Sequence, residues 1–132
     1  MDTALKVMIV EDDLSQVELL KKILSQFRME VSAATNGLEA VDRIRELKPN
    51  LILLDIMMPA LDGFEVVKRL KTMPELAATP IIIISAVREM NSLLEARKHG
   101  IKDYVMKPFD RRALEAKIGE ALKINLEEYR NK

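Results

Sequence analysis

Residues 51–63 read LILLDIMMPALDG. Leu51, Ile52, Leu53 and Leu54 run straight into the carboxylate of Asp55, and two methionines, a proline, a second aspartate and a glycine follow. A short, nearly continuous aliphatic run is how a strand buried on both faces reads. A charge beside such a run is costly unless it is paired, bound to metal or placed at an edge. The stretch therefore predicts a buried strand that delivers Asp55 to the edge of a sheet.

Working outward, further apolar runs lie at residues 5–10, 30–34, 81–84 and 103–106, that at 30–34 being the weakest. Helical patterns separate them. Ser15-Gln16-Val17-Glu18 has the form of a capping box and opens a helix with Val17, Leu20, Leu24 and Phe27 on one face. Asn36-Gly37-Leu38-Glu39 predicts a second start, running through Val41, Ile44 and Leu47 to a stop at Lys48-Pro49. Asp62 is placed to cap a third helix with Phe64, Val67 and Leu70 inward. A fourth runs from Glu89 to His99 and ends on Gly100, and Asp110 caps a fifth with Leu114, Ile118 and Leu122 inward. Strand then helix, five times over, predicts a three-layer α/β domain with a five-stranded parallel sheet and helices on both faces. One domain is expected over residues 1–132, with its core at about 4–124 and a polar segment at 125–132 that extends the last helix or frays. The order of the strands is not readable from the sequence.

Composition narrows the function. Of the 132 residues, 48% are hydrophobic and 32% charged, with Lys plus Arg equal to Asp plus Glu at 21 each, so the chain has no overall basic footprint for nucleic acid. There is no cysteine, which excludes disulfides, thiolate metal sites and cysteine nucleophiles. No signal peptide is evident and every apolar run is too short to span a bilayer, so a cytoplasmic protein without a membrane role is expected.

Chemistry-bearing residues follow the strands. Glu11, Asp12 and Asp13 come after the first, Asp55 after the third, Ser85 after the fourth, and Lys107 with Pro108 after the fifth. In a parallel sheet these are all carboxyl ends, and they share the edge at which open sheets of this kind bind ligands. The set (an acidic pair, D-x-x-M-P-x-x-D-G from Asp55 to Gly63, Ser85-Ala86 and Lys107-Pro108-Phe109, in that order) resembles the response-regulator receiver domains of two-component signalling, the chemotaxis regulators among them.

The resemblance covers about the whole chain and implies a flavodoxin-like (βα)5 fold. It implies that Asp55 is the phospho-acceptor, taking a phosphoryl group from a phosphohistidine on a sensor histidine kinase or phosphotransfer protein. Clustered carboxylates repel one another, and Mg²⁺ (or Mn²⁺), a cation of oxygen ligands, resolves this. Asp12 and Asp55 are the expected carboxylate ligands and Met57 lends its backbone carbonyl by motif position. Glu11 holds a water on the metal from behind. Lys107 and Ser85 would stabilise the spread charge of the phosphoryl group. The resemblance further implies a cis bond before Pro108 and a switch in which Tyr104 moves inward as Ser85 engages the phosphoryl group.

An output face of the fourth helix, fifth strand and fifth helix, including Met90, Leu94, Tyr104 and Arg111, would control a partner or an output domain outside this chain. Leu93 is assigned to the core, and a phosphorylation-dependent homodimer on the output face is compatible with the reading. Asp13 reads as a solvated residue before a helix, favourable to its dipole. Met57 and Met58 read as flexible fillers, Pro59 as a turn former and Gly63 as a site of close backbone approach. His99, the single histidine, receives no catalytic role and makes an internal phosphohistidine relay unexpected.

Other classes remain open at this point. A pseudo-receiver adaptor would have lost Asp55, Asp12 or Lys107, and none is lost. An aspartate-nucleophile phosphatase of the haloacid-dehalogenase type would place D-x-D on an early strand and the acidic pair last, whereas here the pair comes first and Met57 stands at the second D. Nucleotide-binding GxGxxG and GxxxxGK[ST] patterns are missing. The expected role is a switch with slow self-dephosphorylation at most, not a turnover enzyme.

Overall fold

The computed structural model describes residues 4–56, 63–86 and 90–132, the side chains at 90, 92 and 93 excepted. Strands and helices alternate in chain order: β1 (Leu5–Val10), α1 (Leu14–Leu24), β2 (Met29–Ala34), α2 (Gly37–Leu47), β3 (Leu51–Asp55), α3 (Gly63–Lys71), β4 (Ile81–Ala86), α4 (Met90–Lys98), β5 (Asp103–Lys107) and α5 (Arg111–Leu122). The five strands form one parallel sheet in the order β2-β1-β3-β4-β5. This is the doubly wound order whose switch point lies between β1 and β3.

The two-residue period of the strands sorts their side chains into two cores. Met8, Val10, Ile52, Leu54, Ile81 and Ile83 pack against α2, α3 and α4 through Val41, Ile44, Val67, Leu70 and Ala96. Val7, Ile9, Leu51, Leu53, Ile82, Ile84 and Val105 pack on the other face against α1 and α5 through Val17, Leu20, Leu24, Leu114 and Ile118. Every residue of β3 is buried, Asp55 included, as the double-sided coverage of a central parallel strand requires.

Several local readings shift. Asp13, not Ser15, caps α1: its side chain accepts from the Ser15 backbone N–H at 2.9 Å and from the Ser15 hydroxyl at 2.7 Å, so the helix begins one residue before the box. Phe27 is buried, but beyond the end of α1. Asn36 and Asp110 cap α2 and α5. Gly100, at φ 85°, ends α4 in a Schellman arrangement, with its N–H donating to Arg97 O and the Ile101 N–H to Ala96 O. The segment 125–132 neither prolongs α5 nor frays. Lys123 takes a left-handed conformation, Leu126–Tyr129 form a 3₁₀ turn, and Arg130 bridges back to Phe27 in antiparallel fashion. The cap at Asp62 and the start of α4 at Glu89 lie outside the described residues, as do the side chains of Met90 and Leu93.

Candidate functional site

Strand register builds the site. Val10 is paired with Leu54, and Asp55 with Ile84, so Glu11 leaves β1 beside the carboxyl end of β3. Ser85 is paired with Met106, and Ala86 with Lys107, which brings β5 to the same edge. Parity does the rest. Counting by twos from Ile9, Leu53 and Val105, all in the α1/α5 core, gives Glu11, Asp55 and Lys107. The three charged residues therefore leave their strands toward the same side.

Carboxylate oxygens of Glu11, Asp12 and Asp55 all lie within 4.8 Å of one another. Glu11 and Asp55 are buried, and Asp12 is exposed at the mouth. The Lys107 ammonium sits 3.1 Å from Glu11 Oε1 and 4.0 Å from Asp55 Oδ2. The Asp13 backbone N–H donates to Glu11 Oε2 at 3.3 Å, a positioning contact that the sequence reading lacks and that follows from the start of α1 at Leu14. The Lys107–Pro108 peptide bond is cis.

Among the described residues, the Lys107 ammonium stands against three clustered carboxylates. Burial, then hydrogen bonding and repulsion from Asp55, push Glu11 up to about 7 against the pull of Lys107. Asp12 is raised as well, by partial desolvation and by Glu11. A group of oxygen donors with surplus negative charge, open at one corner through Asp12, fits a hard divalent cation of the Mg²⁺ type. Met57, expected to lend a carbonyl, lies outside the described residues, as do Met58 and Pro59.

Two further residues stand near this edge. Ser85 is fully buried at the end of β4, its hydroxyl donating to Ala86 O at 3.2 Å. Tyr104, paired in register with Ile83, is 43% exposed, so the ring is turned outward. Leu94 is exposed too, as is Arg111. Gly63 closes the loop after β3. Its N–H donates to Ile56 O at 3.0 Å, and a Cβ there would stand 2.5 Å from Ile56 Cα. Only glycine permits that approach. His99 lies at the end of α4 with its ring 6.3 Å from that of Phe64 and Nε2 3.7 Å from Glu95, apart from the carboxylate cluster.

Among the described residues no helix is long and apolar enough to cross a membrane. Comparison with known proteins gives a consistent result. Residues 7–119 match the response regulator receiver domain. The chain is 39% identical to the chemotaxis protein CheY of Listeria monocytogenes, with 85% of this chain and 94% of that protein covered. It is also 39% identical to the transcriptional regulatory protein CrdR of Helicobacter pylori, over 86% of this chain and 53% of that protein. It spans from about a quarter to about half the length of such transcriptional regulators. Among solved structures, the signal receiver domain of a signal transduction histidine kinase from Syntrophus aciditrophicus superposes with a TM-score of 0.83 at 30% identity, covering 91% of each chain.

Proposed function

The chain belongs to the response regulator receiver domain family of two-component signalling, and from that membership we propose that it is a phosphorylation switch with Asp55 as the phospho-acceptor. The observation that carries the proposal is the Lys107 ammonium 4.0 Å from the buried Asp55 carboxylate, beside Glu11 and Asp12, at one sheet edge.

Asp55 attacks the phosphorus of a phosphohistidine on a sensor kinase or phosphotransfer protein. A P–O bond forms as the P–N bond breaks, and the imidazole leaves with a proton. The strand fixes the nucleophile and exposes one edge of it, so little reorganisation is needed. Lys107 supplies a fixed positive charge for the phosphoryl oxygens, and Ser85 a hydroxyl that turns from Ala86 O toward them. Asp12, Asp55 and the backbone of Met57 are the residues that would hold Mg²⁺ or Mn²⁺, with Glu11 behind; when bound, the ion offsets the carboxylate charge and that of the phosphoryl group. The outward Tyr104 matches a resting state, and its inward movement on phosphorylation would alter the face made by α4, β5 and α5, including Leu94 and Arg111. A target protein, an output domain outside this chain or a second copy would read that face. The protein acts as a phospho-acceptor and not as a turnover enzyme.

Acetyl phosphate with Mg²⁺ and intact-mass measurement tests the proposal. One phosphoryl adduct is expected, not formed when Mg²⁺ is chelated beforehand and absent in Asp55→Asn. An unmodified wild type points instead to a phosphorylation-independent adaptor, and steady phosphate release from unrelated esters to a phosphatase.

A further inference from the structure

The end of the chain carries a conflict between sequence and conformation. Leu114, Ile118, Leu122, Leu126 and Tyr129 recur at helical spacing, and neither glycine nor proline interrupts residues 120–132. This pattern would carry α5 straight on. Instead α5 stops at Leu122 because Lys123 adopts φ 57°, ψ 46°. The Lys123 N–H donates to Glu120 O at 3.3 Å and the Ile124 N–H to Gly119 O at 3.1 Å, a Schellman closure with lysine where glycine is usual. A left-handed residue with a Cβ is disfavoured, so something else holds this turn.

What holds it is a strap against the α1–β2 turn. The Arg28 N–H donates to Tyr129 O at 2.7 Å and the Asn131 N–H to Gln26 O at 2.8 Å, while the Asn131 side-chain amide donates to Ser25 O at 3.0 Å. The Arg130 guanidinium lies 4.6 Å over the Phe27 ring and bonds Glu115 at 2.9 Å and Glu127 at 2.6 Å. Arg28 lies 5.1 Å over the Tyr129 ring, and Leu126 is buried in the α1/α5 core.

We propose that residues 123–132 form a two-state latch, docked as this strap or released as a continuation of α5. The same side chains serve both states: Leu126 and Tyr129 cover the α1/α5 core when docked and prolong the apolar stripe of α5 when released. Residues 123–132 would lengthen the helix by about 15 Å at 1.5 Å per residue. Any segment that follows Lys132 would leave beside the α1–β2 turn in one state and along the axis of α5 in the other. The strap also joins the far ends of the two helices that grow from the site, α1 from Glu11–Asp13 and α5 from Lys107–Asp110. The latch thereby gives α5 two defined ends, one turned back and one projecting.

Lys123 is exposed, so substitutions there alter the backbone preference without touching the core. Lys123→Gly removes the left-handed penalty, and Lys123→Ile increases it while remaining compatible with a helix. Protection of the Arg28 and Asn131 amides against exchange, with Leu53 and Ile83 as core controls, reads the docked state. Backbone carbon shifts of residues 124–130 read helix. Protection should rise about fivefold or more in Lys123→Gly and fall comparably in Lys123→Ile, where residues 124–130 gain helical shifts. Arg130→Ala, an independent release, should give the same helical shifts with the core controls unchanged. Protection in Lys123→Ile equal to that of the wild type would overturn the latch, and so would coil shifts in 124–130 once the strap is released.

Discussion

Asp55 is a charge at the end of an aliphatic strand, and its position follows from a count of two. Leu51 and Leu53 face the α1/α5 core, and the next residue of that parity is Asp55; Val7 and Ile9 lead in the same way to Glu11, and Val105 to Lys107. The register then brings the ammonium to 3.1 Å from Glu11 and 4.0 Å from Asp55. These identities were legible in the sequence because each site residue follows directly on an apolar run. The contact from the Asp13 N–H to Glu11 was not, since it depends on where α1 begins. Gly63 is the most exacting residue of the loop: an added Cβ meets Ile56 Cα at 2.5 Å, Ile56 Cγ2 at 2.9 Å and Asp55 O at 3.0 Å. Two of these atoms are backbone, so they yield only if the end of β3 moves. Gly63→Ala is expected to lower stability by about 1–3 kcal/mol in denaturant titration and to slow phosphorylation through displacement of Asp55. A variant with wild-type midpoint and rate contradicts this.

The helix ends show what sequence chemistry reveals and what it hides. Asn36, Asp110 and Gly100 act as their residue types suggest. Lys48 and Lys123 end α2 and α5 at φ 46° and 57°, where no residue preference announces a left-handed turn. Pro49 marked the first stop; the second depends on Arg28, Phe27 and Ser25, about a hundred positions away in the chain, and periodicity alone points to a longer helix. The strap has its own pH dependence. Hydrogen bonding from Arg130 holds the Glu127 carboxyl below the usual carboxylate range. A folded-state value below the unfolded one contributes stability above the ordinary carboxylate pKa, and that contribution is lost as pH falls through the lowered value. Protection of the Arg28 and Asn131 amides, corrected for intrinsic exchange, should therefore fall on acidification before that of Leu53 and Ile83, and Glu127→Gln should flatten the difference.

At the scale of the molecule, alternating strand and helix foretold a parallel sheet with two covered faces, whereas the order β2-β1-β3-β4-β5 had to come from three dimensions. Each crossover returns a strand beside a neighbour that local sequence does not specify. That order puts β1 next to β3 and so gathers Glu11, Asp12 and Asp55, while β4 and β5 add Ser85 and Lys107. At the assembled edge burial first, and then the hydrogen bond and charge of Asp55, raise Glu11 to about 7 against the pull of Lys107. A cation that binds the folded edge and not the unfolded chain should raise the thermal midpoint, by about 2.7 kcal/mol of stability at a hundredfold excess over its Kd. Calorimetry with Mg²⁺ should show this increase in the wild type and little of it in Asp12→Asn; an equal increase in both places the ion elsewhere. The central claim concerns one oxygen atom, and chemistry can mark it. Borohydride reduces an aspartyl phosphate to a primary alcohol, so protein treated with acetyl phosphate and Mg²⁺, reduced and mapped by peptide mass should carry the alcohol at Asp55 and nowhere else. The same modification at Asp12 or Glu11, or its absence from Asp55 in protein that bears the phosphoryl adduct, would contradict the account.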